Sequence, residues 1–281
     1  MTHQRCQRWS SGRAFYRPAG ETIDATRFEV VPATESDAKK FTQTHHYSRS
    51  YPAARYRVAL MHKRPFQREE MAGVAVFSVP MNNHVVPHYF GIPAINGVEL
   101  GRFVLLQDVP ANGETWFLAR ALRLLKESIP GISAVVSYSD PLPRRTITGD
   151  VVKPGHVGTI YQASNCAYLG RSRARSLVLT PAGTVLNERT ISKIRNDERG
   201  REYAYEQLLE LGAPKRLPEE SGASYVDRLL KMPELRRVRH NGNHVYGFVL
   251  GKDAPAKIIR QRLLSKPYPK KPDPESCPKH V

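Results

Sequence analysis

Three consecutive stretches decide the fold: Val98-Glu99-Leu100-Gly101-Arg102-Phe103-Val104-Leu105-Leu106, then Gly113-Glu114-Thr115-Trp116-Phe117-Leu118-Ala119-Arg120-Ala121-Leu122-Arg123-Leu124-Leu125-Lys126, then Ile132-Ser133-Ala134-Val135-Val136-Ser137-Tyr138-Ser139-Asp140. The first and third are short apolar runs of strand type. The middle run is helical, with Asn112 as N-cap, Glu114 in the first turn and Lys126 in the last. It is apolar nearly all round, which predicts burial against a sheet. Strand, crossover helix and neighbouring parallel strand make an α/β unit. Strict alternation along the first strand puts Glu99 and Gly101 on one face and Leu100 and Arg102 on the other, so Glu99 and Arg102 need separate partners.

Working towards the N-terminus, Tyr56–Met61 and Met71–Val79 read as a hairpin around the charged turn His62–Glu70. Phe28–Val31 is a strand. Thr34, Glu35 and Asp37 open a helix that runs to about Thr44, and Pro52 forbids its continuation past His45-His46-Tyr47-Ser48-Arg49. The element order β-α-β-β-β-α-β gives an α/β fold with a mixed sheet flanked by helices, and ligands of such sheets collect at the carboxyl ends of strands, where Asp140 lies. Towards the C-terminus, Gly155–Asn165 is a Gly-rich turn into a short helix, and Leu177–Leu179 and Thr184–Leu186 flank a Pro-Ala-Gly turn as a second hairpin. The expected organisation is an extended arm over residues 1–26, a core over 27–187, a helical basic insertion over 188–240, a returning strand over 241–251, and a basic mobile tail over 252–281. Helices are expected at Arg201–Leu211 and Tyr225–Lys231 within the insertion.

The chain has 281 residues with 40% hydrophobic and 25% charged side chains, which excludes a disordered or collagen-like protein. Its 43 Lys and Arg against 26 Asp and Glu leave a net charge of +17, the balance of a protein with a polyanionic partner such as nucleic acid. No apolar run suits a membrane span, and the opening residues lack the apolar stretch of a signal peptide, so a cytoplasmic protein is expected. Three scattered cysteines argue against a disulfide framework or a cysteine-based zinc site.

Several side chains have the chemistry of a site. Asp140, before Pro141, is either a turn cap or a base. His46 and Tyr47 either satisfy a helix end or act as acid, base or metal ligand. Arg102 suits a bidentate anion contact or a structural ion pair. His156 faces a ligand from its Gly-flanked turn and Tyr161 stacks on the base, or both are structural. His46, Asp140 and His156 are of the two-His, one-carboxylate type that holds iron(II), although their spacing is not a local ligand motif. Arg171, Arg173 and Arg175 alternate as if on one face of a strand, where they meet successive phosphates, and Lys193, Arg195, Arg199, Arg236, Arg237 and Arg239 add a second basic zone.

His46-Tyr47-Ser48-Arg49, Glu99–Leu105, Glu114–Arg120, Ser137-Tyr138-Ser139-Asp140-Pro141 and Gly155–Ala163 together resemble the Mom family of phage DNA-adenine modification proteins. The resemblance covers roughly residues 27–200 in order, and the arm Arg8–Asp24 is similar as well. It implies an acetyltransferase-like (GNAT) fold and a transferase that carbamoylmethylates the exocyclic amine of adenine in double-stranded DNA, shielding phage DNA from restriction in the host cytoplasm. Such an enzyme takes the adenine out of the stack. The resemblance implies a site of Asp140, His46, Tyr47, Glu99, Arg102 and Tyr161, with Ser48, Arg49, Ser137, Tyr138, His156, Thr159, Gln162 and Asn165 binding substrate. Iron has been associated with the family and enters on that ground. An acyl-CoA donor is disfavoured: acetyltransferases bind pyrophosphate with an Arg/Gln-x-x-Gly-x-Gly/Ala turn, and here the turn reads Gln107-Asp108-Val109-Pro110-Ala111-Asn112-Gly113-Glu114, with acids where a helix N-terminus should attract phosphate. The group itself has the skeleton of glycine amide, so a glycine-derived donor is expected. Two rival readings are an acetyl-CoA-dependent N-acetyltransferase and a non-catalytic basic DNA-binding protein; a monomer and a homodimer are both compatible with the sequence.

Overall fold

A computed structural model describes residues 4–10, 13–18, 20–66 and 68–270. The described chain forms two compact units, one from Met1–Pro141, His156–Ser172 and Asn243–Val281, the other from Leu142–Gly155 and Arg173–Gly242. Strands β1 (Gln4–Ser10) and β2 (Arg13–Pro18) pair as an antiparallel hairpin. The expected arm is therefore ordered, and its contacts are given below. In order follow β3 (Phe28–Pro32), α1 (Glu35–His45), β4 (Ala54–His62), β5 (Glu70–Ser78), α2 (Val85–Phe90), β6 (Gly97–Leu105), α3 (Gly113–Ser128) and β7 (Ala134–Ser139). The second unit supplies β8 (Arg144–Arg145) and β9 (Val151–Lys153) before the chain returns to the first for α4 (Thr159–Ala163) and β10 (Ala167–Arg171). Then come β11 (Arg175–Leu179), α5 (Glu188–Arg195), α6 (Arg201–Glu210), α7 (Gly222–Leu230) and β12 (Arg236–His240), and finally β13 (His244–Val249) and α8 (Ala254–Arg262).

The first unit is built on a seven-stranded mixed sheet in the order β10-β13-β7-β6-β5-β4-β3. Its parallel pair is β6 with β7, joined by α3 as expected. Side-chain alternation sorts the core into two layers. Ala75 and Phe77 of β5 and Val135 of β7 pack with Phe117, Leu118, Ala121 and Leu125 of α3. Val74 and Val76 face the other way, onto Ala38 and Phe41 of α1, while Ala134 and Val136 meet α2 and Ile259 of α8. Helix α3 is buried on one face only; Ala119 and Arg123 are exposed, because a single sheet face covers it. Asn112 does not cap it through its side chain but sits in the left-handed region at φ 65°, which asparagine tolerates.

Several other expectations change. Leu177–Leu179 and Thr184–Leu186 do form a hairpin, with the Thr180 N–H donating to the Thr184 carbonyl and the Leu186 N–H to the Val178 carbonyl, both at 2.9 Å, but it is a single bridge long, Leu179↔Val185, and β11 pairs more extensively with β12, with Leu177 opposite Val238. Arg171, Arg173 and Arg175 are all exposed but do not share a strand: β10 ends at Arg171, the chain changes unit, and β11 begins at Arg175. The tail is packed as far as it is described: α8 buries Ala256 and Ile259, the Lys266 N–H donates to the Tyr168 carbonyl, and residues 271–281 lie outside the described residues. The second unit has its own core of Leu186, Ile194, Ala204, Leu208, Tyr225, Val226 and Leu229.

The feature that positions the site is a β-bulge in β6. Val76 lies opposite Arg102 and Phe77 opposite Leu100, so Gly101 is the extra residue. A Cβ there would meet Ser78 Oγ at 2.4 Å and Pro52 Cγ at 3.1 Å. The insertion inverts the alternation, placing Leu100 and Phe103 on the α3 face and Glu99 and Arg102 together on the other, contrary to the opposite-face reading. Gly101→Ala should therefore cost about 1–3 kcal/mol of overpacking in urea unfolding, whereas an unchanged midpoint would mean that the bulge has room to spare.

Candidate active site

The parallel ladder of β6 and β7 runs only from Gly97↔Ala134 to Glu99↔Val136. Beyond it the two strands part, leaving Ser137 and Tyr138 beside the opening. Ser137 pairs on its other side with Tyr246 of β13. Its hydroxyl is fully buried and has no hydrogen-bond partner, an arrangement that costs free energy until something supplies one.

Glu99 is the last paired residue of β6 at this point. Burial penalises its charged form and raises its pKa from the ordinary 4.5 to about 7, offset in part by the field of Arg102 and by the backbone N–H of Met81. Burial pushes Arg102 down, while Tyr47 and Glu99 act in the opposite direction. The Arg102 fork is held in place: Nε donates to the Ser50 carbonyl at 2.9 Å and Nη2 to Ser50 Oγ at 2.6 Å. The phenol of Tyr138 is raised by burial and by the nearby Glu99 and Tyr89. A carboxyl group poised near neutrality beside a fixed guanidinium can accept a proton at physiological pH.

The segment after α1 forms a second wall. His46 is the C-cap of that helix, its N–H bonded to the Thr42 carbonyl at 2.9 Å. Its Nδ1 lies 2.8 Å from Ser48 Oγ, which in turn is 3.2 Å from Ser50 Oγ, so a hydrogen-bonded chain links His46 to Arg102. The Tyr47 ring lies 4.2 Å from the His46 ring, and the residue is 48% exposed. Arg49 is exposed and has no ion pair among the described residues.

Burial raises the phenol of Tyr161, as do Tyr47 and Glu99, which lie within its electrostatic reach. Tyr161 is buried among core aromatics, its ring 5.2 Å from Tyr246 and 6.3 Å from Phe248, so it does not present a face for stacking. Gln162 donates to the Val157 carbonyl at 3.0 Å, the Tyr246 hydroxyl at 3.1 Å and the Pro269 carbonyl at 3.3 Å, tying α4 to the sheet and the tail. Thr159 and Asn165 are exposed at either end of α4. Asp140 ends β7, and its carbonyl accepts the His156 N–H at 3.0 Å. Asp140 and His156 are thus neighbours, but among the described residues no three His, Cys, Asp or Glu side chains are arranged to hold a metal ion. Sequence reasoning missed Ser50 and Met81; the second acts through its backbone N–H, which no side-chain pattern signals.

The turn between β6 and α3 explains the poor match to a pyrophosphate site. Arg8 of the hairpin donates from Nη1 to the carbonyls of Leu106 at 2.8 Å, Gln107 at 3.2 Å and Val109 at 2.6 Å, and from Nε to the Glu114 carboxylate at 2.7 Å. Glu21, paired with Arg17, accepts the Ala111 N–H at 2.9 Å. The turn presents carbonyl oxygens and carboxylates, already satisfied from within the chain, where a phosphate ligand needs N–H donors.

In the second unit Arg195 pairs with Asp227 at 2.7 Å and Arg201 with Asp197 at 2.8 Å, while Glu220 holds Arg228 and is itself pulled down to about 2 by it. Of the expected basic zone this neutralises Arg195 alone. Arg237 and Arg239 are exposed on β12 without an ion pair among the described residues, as is Arg199.

Residues 27–270 match the Mom protein family. The methylcarbamoylase mom of Escherichia phage Mu is 27% identical over 134 residues, covering 47% of this chain and 49% of the relative. The chain thus spans about half the length of the curated relative it matches. No helix among the described residues is long and apolar enough to cross a membrane.

Two outcomes follow from the geometry. Between pH 4.5 and about 7 the folded chain holds a proton on Glu99 that the unfolded chain has released, so stability falls as pH rises through that window. In urea unfolding at pH 5 and pH 8, wild type should lose on the order of 2 kcal/mol relative to Glu99→Gln; parallel pH profiles would refute the buried carboxyl. Millimolar acetyl-CoA should leave the melting temperature unchanged, since a ligand that binds the native state raises it.

Proposed function

The chain belongs to the Mom protein family, and from that premise we propose that it is a phage DNA-modifying transferase that attaches a carbamoylmethyl group to the exocyclic amine of adenine. The observation that carries the reading is the carboxyl group of Glu99, raised to about 7 at the point where β6 and β7 part. An aromatic exocyclic amine is a poor nucleophile and needs its proton removed as the new bond forms. In the step we infer, N6 bonds to the methylene carbon of a glycine-derived donor while that carbon's bond to its leaving group breaks, and the N6 proton passes to Glu99. Arg102, fixed by Ser50, provides positive charge for the carbonyl or leaving group of the donor. Ser137 offers a donor or acceptor to whichever group enters the opening. Tyr47 supplies a stacking face for the flipped adenine.

Asp140, which directly follows β7 beyond the last β6–β7 pair at Val136, is the second candidate base. An acetyltransferase-like core is part of this reading and is supported by the order of elements and by the parallel pair bridged by α3. The net charge of +17, with Arg49, Arg199, Arg237 and Arg239 exposed, supports duplex DNA as the substrate.

Expression in a bacterium followed by nucleoside mass spectrometry should reveal a deoxyadenosine heavier by one carbamoylmethyl group. Glu99→Gln should reduce its yield by about two orders of magnitude or more, the usual worth of a general base, with the fold intact by circular dichroism. A wild-type yield from Glu99→Gln would remove Glu99 from the mechanism, and an acetylated amine in place of the expected species would favour an acetyltransferase.

A further inference from the structure

The turn that faces Glu99 has a property that the chemistry above does not use. β5 ends at Ser78, directly opposite Glu99, and the chain continues as Val79-Pro80-Met81-Asn82-Asn83-His84 into α2. The Met81 backbone N–H faces the Glu99 carboxyl, yet its side chain is 92% exposed and that of Val79 is 50% exposed. Two apolar side chains therefore project into solvent from a backbone that touches the reacting carboxyl group. Phe66 is also fully exposed, but it belongs to the turn at the opposite end of β5. Single exposed apolar residues are ordinary; what distinguishes Met81 is its fixed place at the mouth of the site.

The surroundings suit a polyanion. No Asp or Glu occurs from Met71 to Val98 or from His45 to Leu60; in the latter segment Arg49 is exposed, Arg55 donates to the Ile95 and Gly97 carbonyls, and Arg57 is paired with Glu35. The turn is also held in shape. The Val79 N–H donates to the Ala53 carbonyl at 3.0 Å, and the His84 N–H to Asn82 Oδ1 at 2.9 Å.

We propose that Met81, flanked by Val79, is the wedge that enters the DNA base stack and fills the space left by the adenine extruded towards Glu99. Apolar side chains such as methionine unstack base steps when inserted between them, and an enzyme acting on a base edge must hold the base out of the helix. The wedge and the base acceptor are then parts of one local structure: Met81 stands in the stack and its own amide holds the carboxyl group that receives the N6 proton. Met81 is a positioning residue and takes no part in bond making. This inference rests on the DNA-modification reading above.

The test uses the full chain and duplexes with a single 2-aminopurine in place of adenine, in every nearest-neighbour context, and needs no group donor. Wild type and Glu99→Gln should raise 2-aminopurine fluorescence on binding. Met81→Ala should lose on the order of tenfold of that rise, with binding by anisotropy changed less than about threefold because phosphate contacts dominate affinity. Met81→Leu should keep the rise. An abasic site opposite the probe should restore it for Met81→Ala, since such a base is already loosened. A wild-type rise from Met81→Ala, while wild-type cells accumulate the modified nucleoside, would overturn the wedge and leave the transferase reading standing. Absence of both DNA binding and modified nucleoside for wild type would overturn the transferase reading, and the wedge with it.

Discussion

The site depends on one extra residue. Without the bulge at Gly101, the pleat of β6 would put Arg102 on the α3 face, in the apolar layer with Leu100 and Phe117, and leave Glu99 alone on the other. The bulge brings acid and base onto one face at the point where β6 stops pairing with β7. Each then shapes the other: burial drives both towards their neutral forms, and their mutual attraction limits the drift. The close approach of Ser78 and Pro52 at Gly101 explains why glycine stands there.

The architecture was legible in the sequence wherever periodicity ran unbroken. The hairpin of β4 and β5, the β6-α3-β7 crossover and the bounds of α1 and α6 follow from spacing, caps and prolines. What escaped was set by contacts between residues distant in the chain. A glycine inside a strand is a recognised bulge signal, but alternation counted across it assigns the wrong face to Arg102. Asp140 attracted attention because it ends a strand, whereas what marks Glu99 is desolvation, which only the folded surroundings provide. The alternating arginines at 171, 173 and 175 keep their alternate exposure, yet the chain leaves one sheet for another between them.

The N-terminal hairpin shows the same limit from the other side. Arg8 and Glu21 bond to groups some ninety to one hundred and six residues away, and no local pattern foretells that. Their effect is chemical as well as structural. A turn that in an acyltransferase would offer N–H groups to phosphate here spends its polar groups on the chain's own arginine and glutamate.

The strand order has a consequence for how the protein is made. β13, near the C-terminus, lies inside the sheet between β7 and β10. Until residue 249 has left the ribosome, the hydrogen-bonding edge of β7 has no partner, while Leu142–Gly155 and Arg173–Gly242 are already available to collapse around their own core. An open edge rich in valine is a pairing surface for other nascent chains. Closure of the sheet thus waits on a strand that is made after the whole of the second unit.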